Sequence, residues 1–112
     1  MATTDSLRGA RCAPGAPRLG DAEQRALMGG IASWGTDGAS LERRLKVNDF
    51  KTALALVNQI GALAEAEGHH PDLGIFSWNN VRISLSTHDA GGLTRNDFIM
   101  AAKIDALIES HG

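Results

Sequence analysis

Two apolar periods in one short stretch constrain this chain more than anything else in it. From Asn48 to Glu67, Phe50, Ala53, Leu54, Val57, Ile60 and Ala64 recur at the i, i+3, i+4, i+7 spacing of a helix with one buried face. A little further on the period falls to two: Val81, Ile83 and Leu85 alternate with Arg82, Ser84 and Ser86, as in a strand with one face against a core. A helix and a sheet with one apolar side each must cover one another, so the chain is expected to fold as an α+β domain.

The flanks extend this pattern. Asn48 is suited to cap the long helix and Gly68 to end it in a left-handed turn. Asp21 to Ser33 reads as a shorter helix, capped by Asp21 with Gln24 three residues on, and with Leu27, Met28 and Ile31 on one face. A Gly-Thr-Asp-Gly turn at Gly35–Gly38 joins Trp34 to Leu41–Val47 as a first hairpin. Leu73–Ser77 and Val81–Thr87 form a second, with Trp78 near its turn, and Thr94 with Asp97 opens the last helix as a capping box. The predicted order is helix, hairpin, helix, hairpin, helix, a two-layer sandwich. With 112 residues, this is one domain.

Residues 1–18 differ from the rest. They hold Gly9, Pro14, Gly15 and Pro17, three arginines against the single acid Asp5, and no apolar stripe. They are expected to be a disordered, dispensable tail, with the domain spanning 19–112. Organellar targeting by such a leader stays open, although the single cysteine, Cys12, fits a reducing cytoplasmic setting. A net charge of −2 offers no general attraction to nucleic acid or an anionic membrane. No apolar run approaches the roughly 18 residues a membrane span needs.

The chemistry is expected where three of the four histidines gather, His69, His70 and His88; His111 is set aside at the C-terminus. Pro71 stiffens the helix exit and confines His70 to an extended conformation, so the paired imidazoles point in fixed, diverging directions. His88 falls in phase with the polar residues of its strand and is expected to face away from the core. Three histidines and an acid could also bind zinc, but adjacent histidines rarely converge on one ion and the spacing matches no common zinc motif.

The spacing Glu65-x3-His69-His70-Pro71, six residues, Trp78, nine residues, His88, eight residues, Asp97 resembles the pattern of the pterin-4a-carbinolamine dehydratases. The Leu85-Ser86-Thr87-His88 ending and the Gly92-Leu93-Thr94 segment are similar as well, and the likeness covers about residues 21–110. It implies a four-stranded antiparallel sheet with helices on one face, and a homodimer or homotetramer. It also implies an activity: loss of water from 4a-hydroxytetrahydropterin to give quinonoid dihydropterin, in tetrahydrobiopterin recycling, with no metal or redox cofactor. By this resemblance His69 and His88 are the acid–base pair and His70 orients the pterin. Glu65 and Asp97 fix imidazole tautomers or hold the pterin edge, against the plainer readings of a solvated helix residue and a helix cap. Pro71 and Trp78 border the site, although packing in the hairpin core is the stronger expectation for Trp78. Arg82 is left without an assigned role.

The same resemblance supplies an alternative. Dehydratase-like proteins also serve as RuBisCO assembly factors, and one vertebrate branch acts as a dimerisation cofactor of a homeodomain transcription factor. The stretch Gly91–Ile99 looks closer to the bacterial and plastid branch. RuBisCO is therefore a candidate partner if the chain is a non-catalytic chaperone, while retention of all three histidines favours the enzyme.

Overall fold

The computed structural model describes residues 4–111, apart from the side chain of His111. A first helix, α1 (Thr4–Gly9), precedes α2 (Asp21–Met28) and the strands β1 (Gly35–Thr36) and β2 (Leu41–Lys46). Then come α3 (Phe50–Glu67), β3 (Asp72–Phe76), β4 (Asn80–Leu85), a 3-10 turn (His88–Ala90) and α4 (Arg95–His111). The four strands make one antiparallel sheet in the order β1-β2-β4-β3. The chain leaves β2, crosses as α3, and returns through β3 so that β4 lies between its partner and the earlier hairpin. The expected α+β architecture is present.

Register follows from the strand period. Leu41 pairs with Leu85 and Leu45 with Val81 across β2 and β4, while Leu73 pairs with Ile83 and Ile75 with Val81 across β3 and β4. Val81, Ile83 and Leu85 are buried; α3 and α4 pack against them with Ala53, Leu56, Ile60, Phe98, Ala101 and Ile104. On the opposite face Arg44 and Arg82 are direct cross-strand neighbours. Such like charges repel, and Glu42 separates them: its carboxylate accepts from Arg44 Nε at 2.9 Å and from Arg82 Nη2 at 2.8 Å. These hydrogen bonds, Arg82 first, hold Glu42 below the usual carboxylate range. Arg82 is thus paired on the exposed sheet face.

Several local expectations change. The cap of α3 is Asp49, one residue after Asn48; it accepts from the Thr52 N–H at 2.7 Å, and hydrogen bonding to Thr52 lowers its pKa. The buried stripe of α3 is Ala53, Leu56, Ile60 and Ala64, whereas Phe50 and Leu54 stay exposed. Six apolar positions gave the helix two adjoining apolar faces, and only one can meet the sheet. The α2 helix stops at Met28, before Gly29 and Gly30, and Glu23 rather than Gln24 reaches back to the N–H at its start, that of Gly20. Trp34 lies just before the two-residue β1; its indole donates to Asp105 of α4 at 2.8 Å, and the Arg43 guanidinium meets the same carboxylate oxygen.

The largest correction concerns the expected tail. Met1–Thr3 fall outside the described residues, but residues 4–18 are ordered against the domain. Leu7 is fully buried and α1 packs on α4. Arg8 Nε donates to the Ala102 carbonyl at 3.0 Å, and Lys103 Nζ donates to the Arg8 carbonyl at 2.8 Å. One leucine produces no periodicity, and the hydrogen-bond partners of the neighbouring Arg8 lie ninety or more residues away in sequence. Burying that leucine contributes roughly 1.5–3 kcal/mol, enough to dock a short helix when hydrogen bonds from the Arg8 and Lys103 side chains to main-chain carbonyls join it.

Candidate functional site

The exit of α3 positions the first histidine. Gly68 adopts φ 68°, ψ 26°, the left-handed conformation that other residues resist, and its N–H donates to the Ala64 carbonyl. The His69 N–H donates to the same carbonyl at 3.2 Å. The His69 ring is thereby directed at the start of α4, where its Nε2 lies 2.6 Å from Asp97 Oδ1.

Asp97 has no solvent exposure and serves two functions together. Its Oδ2 accepts from the Thr94 N–H at 2.9 Å, capping α4, and from the Thr87 hydroxyl at 2.8 Å. Its Oδ1 faces His69. The carboxylate thus caps α4 and at the same time lies within hydrogen-bond distance of the His69 ring. An ionised carboxylate that already accepts two donors favours an Nε2–H on His69, which leaves Nδ1 with its lone pair available.

His69 lines a cavity of about 550 Å³, within the roughly 300–1,000 Å³ span of small-molecule sites. Thr87, Asp89 and Ala90 line it from the 3-10 turn region, and Cys12 to Ala16 from the N-terminal segment. His88 is not on a strand as expected: β4 ends at Leu85, and His88 opens the 3-10 turn with its side chain exposed, between two residues that line the cavity. The strand ends early because Thr87 pairs with Gly92 across the turn, through N–H to carbonyl bonds of 3.0 and 3.3 Å. That closure fixes the backbone on either side of His88, whose own side chain, like that of His70, is not part of the cavity lining.

The remaining expected site residues divide. His70 is exposed; its Nε2 lies 2.6 Å from Glu65 Oε2, which is also exposed, so Glu65 pairs with a histidine although it is solvated. Pro71 is half-buried after them. Trp78 does not line the cavity and is not core: it is 60% exposed at the tip of the β3–β4 hairpin. Ser77 and Trp78 both have positive φ, 46° and 59°. This turn buries Asn79, whose Nδ2 donates to the Val47 carbonyl at 3.0 Å, and leaves the indole outside.

Sequence reasoning missed the N-terminal lining, the threonine pair around Asp97, and two buried polar residues, Glu67 and Asn96. Glu67 Oε1 accepts from the Cys12 N–H at 2.9 Å, while Arg11 Nε and Lys103 Nζ lie 3.1 and 3.8 Å from Oε2. Burial works to raise the Glu67 pKa, but the Cys12 N–H and the charges of Lys103 and Arg11 outweigh it and hold the carboxyl below its ordinary value. Burial, reinforced by the nearby Glu67 charge, pushes the Cys12 thiol up to about 11, so it stays protonated and is no nucleophile at neutral pH. The only sequence signal was position: both polar residues flank the histidine–aspartate pair. Among the described residues no group of three or more His, Cys, Asp or Glu side chains converges as a metal-ligand set, and no helix is long and apolar enough to cross a membrane.

Comparison with known proteins agrees with this geometry. The family model described as pterin 4 alpha carbinolamine dehydratase matches residues 17–107. A Paracoccus denitrificans protein named "Putative pterin-4-alpha-carbinolamine dehydratase" is 46% identical over 86% of this chain and 91% of its own. An Arabidopsis thaliana protein named pterin-4-alpha-carbinolamine dehydratase 2, mitochondrial, is 45% identical over 72% of this chain and 46% of its own. The crystal structure of a Brucella melitensis transcriptional coactivator/pterin dehydratase superposes with a TM-score of 0.74 at 32% identity, covering 85% of this chain and 99% of that one. A pterin dehydratase-like RuBisCO assembly factor of the alpha-carboxysome superposes at 0.53 and 24% identity over 66% of this chain and 84% of its own, a likeness of fold alone. With a buried aspartate 2.6 Å from a cavity histidine, and a family match over residues 17–107, this chain belongs to the pterin-4a-carbinolamine dehydratase family.

Proposed function

We propose that the protein dehydrates 4a-hydroxytetrahydropterin to quinonoid dihydropterin. The observation that carries this is the His69–Asp97 pair at the wall of the cavity. The reaction removes the N5 proton and the 4a-hydroxyl, and forms the C4a=N5 double bond. His69 Nδ1 takes the N5 proton, and the imidazolium so formed is stabilised by the Asp97 carboxylate. His88, on the closed 3-10 turn, donates the proton with which the hydroxyl leaves as water. His70, held by Glu65, orients the pterin from the open side. Each imidazole then re-equilibrates with solvent, and because elimination of water changes no net oxidation state the cycle needs no electron carrier. The reaction belongs to tetrahydrobiopterin recycling, between a pterin-dependent hydroxylation and reduction of the dihydropterin.

Two further readings accompany it. The exposed apolar side chains Phe50 and Leu54 on α3, and Phe76 and Trp78 on the hairpin, suit burial against further copies, as a homodimer or homotetramer. The assembly-factor alternative is supported by fold similarity alone and gains no site feature here.

Steady-state kinetics on synthetic 4a-hydroxytetrahydropterin test the proposal. His69→Ala and His88→Ala should each lower kcat by roughly 10²–10⁴-fold, while His70→Ala should act mainly on KM. A folded wild-type protein without turnover would sink the dehydratase reading. An unimpaired His88→Ala variant would remove His88 as the acid.

A further inference from the structure

The N-terminal segment has a position that its sequence did not suggest. Cys12 to Ala16 form one wall of the His69 cavity, and all five residues precede residue 17, where the family match begins.

It is also fixed rather than draped. The Ala13 N–H donates to Asn96 Oδ1 at 3.0 Å and the Asn96 amide returns a bond to the Ala13 carbonyl at 2.8 Å, a two-way clamp on the backbone. One residue earlier, the Cys12 N–H is held by Glu67 Oε1 at 2.9 Å. Both anchoring side chains belong to residues beside the His69–Asp97 pair: Asn96 precedes Asp97, and Glu67 stands two before His69. Upstream, Leu7 is buried against the domain; downstream, the Leu19 N–H donates to the Leu93 carbonyl at 2.8 Å. The turn between the clamps passes through Gly15 at φ 76°, a conformation that L side chains rarely adopt.

The chemistry of the wall is selective. Ala13, Pro14, Gly15 and Ala16 offer bulk without a side-chain donor or charge. Elsewhere around the cavity the ionisable side chains are those of Cys12, Glu67, His69 and Asp89, and neither Lys nor Arg lines it. Glu67 is already engaged by Arg11 and Lys103, and the Cys12 thiol is neutral at pH 7. An anionic substituent entering this space finds no fixed counter-charge and meets Asp89. A long one meets a clamped backbone.

We infer that the segment Cys12–Ala16 is a specificity wall that restricts the site to tetrahydropterins with a small, uncharged 6-substituent. The inference rests on the dehydratase reading and names the substrate class of that site. A methyl or short polyol group fits beside the wall, and an aminobenzoylglutamate-bearing group is turned away.

The test uses the full chain and 4a-hydroxytetrahydropterins carrying a 6-methyl, a 6-dihydroxypropyl or a 6-(aminobenzoylglutamate)methyl group. The wild type should favour the 6-methyl compound over the glutamate-bearing one in kcat/KM by roughly tenfold or more. Two full-chain variants should move the selectivity in opposite directions. Leu7→Asp places a charge where no solvent reaches and so releases the segment, which limited proteolysis near Arg11 would report; the preference against the glutamate-bearing compound should then fall. Ala16→Trp thickens the wall and should lower kcat/KM for the dihydroxypropyl compound more than for the methyl one. If Leu7→Asp does not fold, Ala16→Trp alone decides the matter. Turnover of all three compounds at equal efficiency, or unchanged ratios in the variants, would overturn the wall while sparing the dehydratase. No turnover of the 6-methyl compound by the wild type would overturn the dehydratase reading and the wall with it.

Discussion

Asp97 joins the fold to the proposed chemistry, and two substitutions there should separate its contributions. Asp97→Ala removes the acceptor of three groups: His69 Nε2, the Thr87 hydroxyl and the Thr94 N–H. The Thr87 hydroxyl can turn to Thr94 Oγ1, 3.0 Å away, so two donors are left without an acceptor. At roughly 1–3 kcal/mol per buried donor orphaned, the loss is about 2–6 kcal/mol. A chain of this size loses about 4 °C in Tm per kcal/mol, so a fall of about 8–24 °C is expected by circular dichroism. Asp97→Asn differs instructively. Its amide oxygen must remain on the two donors, Thr94 N–H and Thr87, which turns the NH2 group toward His69 Nε2. That nitrogen can then only accept, and the ring proton moves to Nδ1, the atom needed as a base. Stability should fall by only about 1–2 kcal/mol, the margin by which a charged acceptor exceeds a neutral one. kcat should fall by roughly 10²–10⁴-fold. The assay is absorbance-followed dehydration of 4a-hydroxytetrahydropterin beside thermal melts of both variants. An Asp97→Asn protein with wild-type kcat would refute the tautomer argument, and an Asp97→Ala protein with an unchanged Tm would refute the cap.

Three further outcomes are expected. Leu7→Ala should cost about 2–5 kcal/mol in the docking of α1, seen as faster amide exchange confined to residues 4–16; unchanged exchange there would return the segment to a dispensable tail. Because Glu67 has a depressed pKa in the fold, its contribution is present above the ordinary glutamate value of 4.5 and is lost as pH falls through the lower folded value. Protease sensitivity near Arg11 should accordingly rise below about pH 4.5, and Glu67→Gln should show that sensitivity already at pH 7. Gly68→Ala adds a methyl into open space but forces it into a left-handed backbone, so a loss of about 1–2 kcal/mol with no steric clash should appear as a Tm lowered by several degrees.

The sequence by itself determined the layers and the chemical vocabulary. A period of two from Val81 to Leu85 and a helical period through Ala53, Ile60 and Ala64 hold wherever the segments end up, because each reflects local backbone geometry. The order His69-His70-Pro71 after Gly68 likewise sets the histidines at a helix exit, and the fixed spacings to His88 and Asp97 carried the family. Tertiary structure decided which of two apolar faces of α3 is buried, since Phe50 and Leu54 lose that contest only once the sheet is in place. It decided that β4 stops at Leu85, because Thr87 finds Gly92 instead of another strand, and that Trp78 stands in solvent, because Asn79 takes the buried position in the turn. Above all it decided the fate of residues 4–18. Their order comes from Ala102, Lys103, Asn96 and Glu67, partners far along the chain whose hydrogen bonds and buried charge leave no periodic trace in a segment with one leucine to bury.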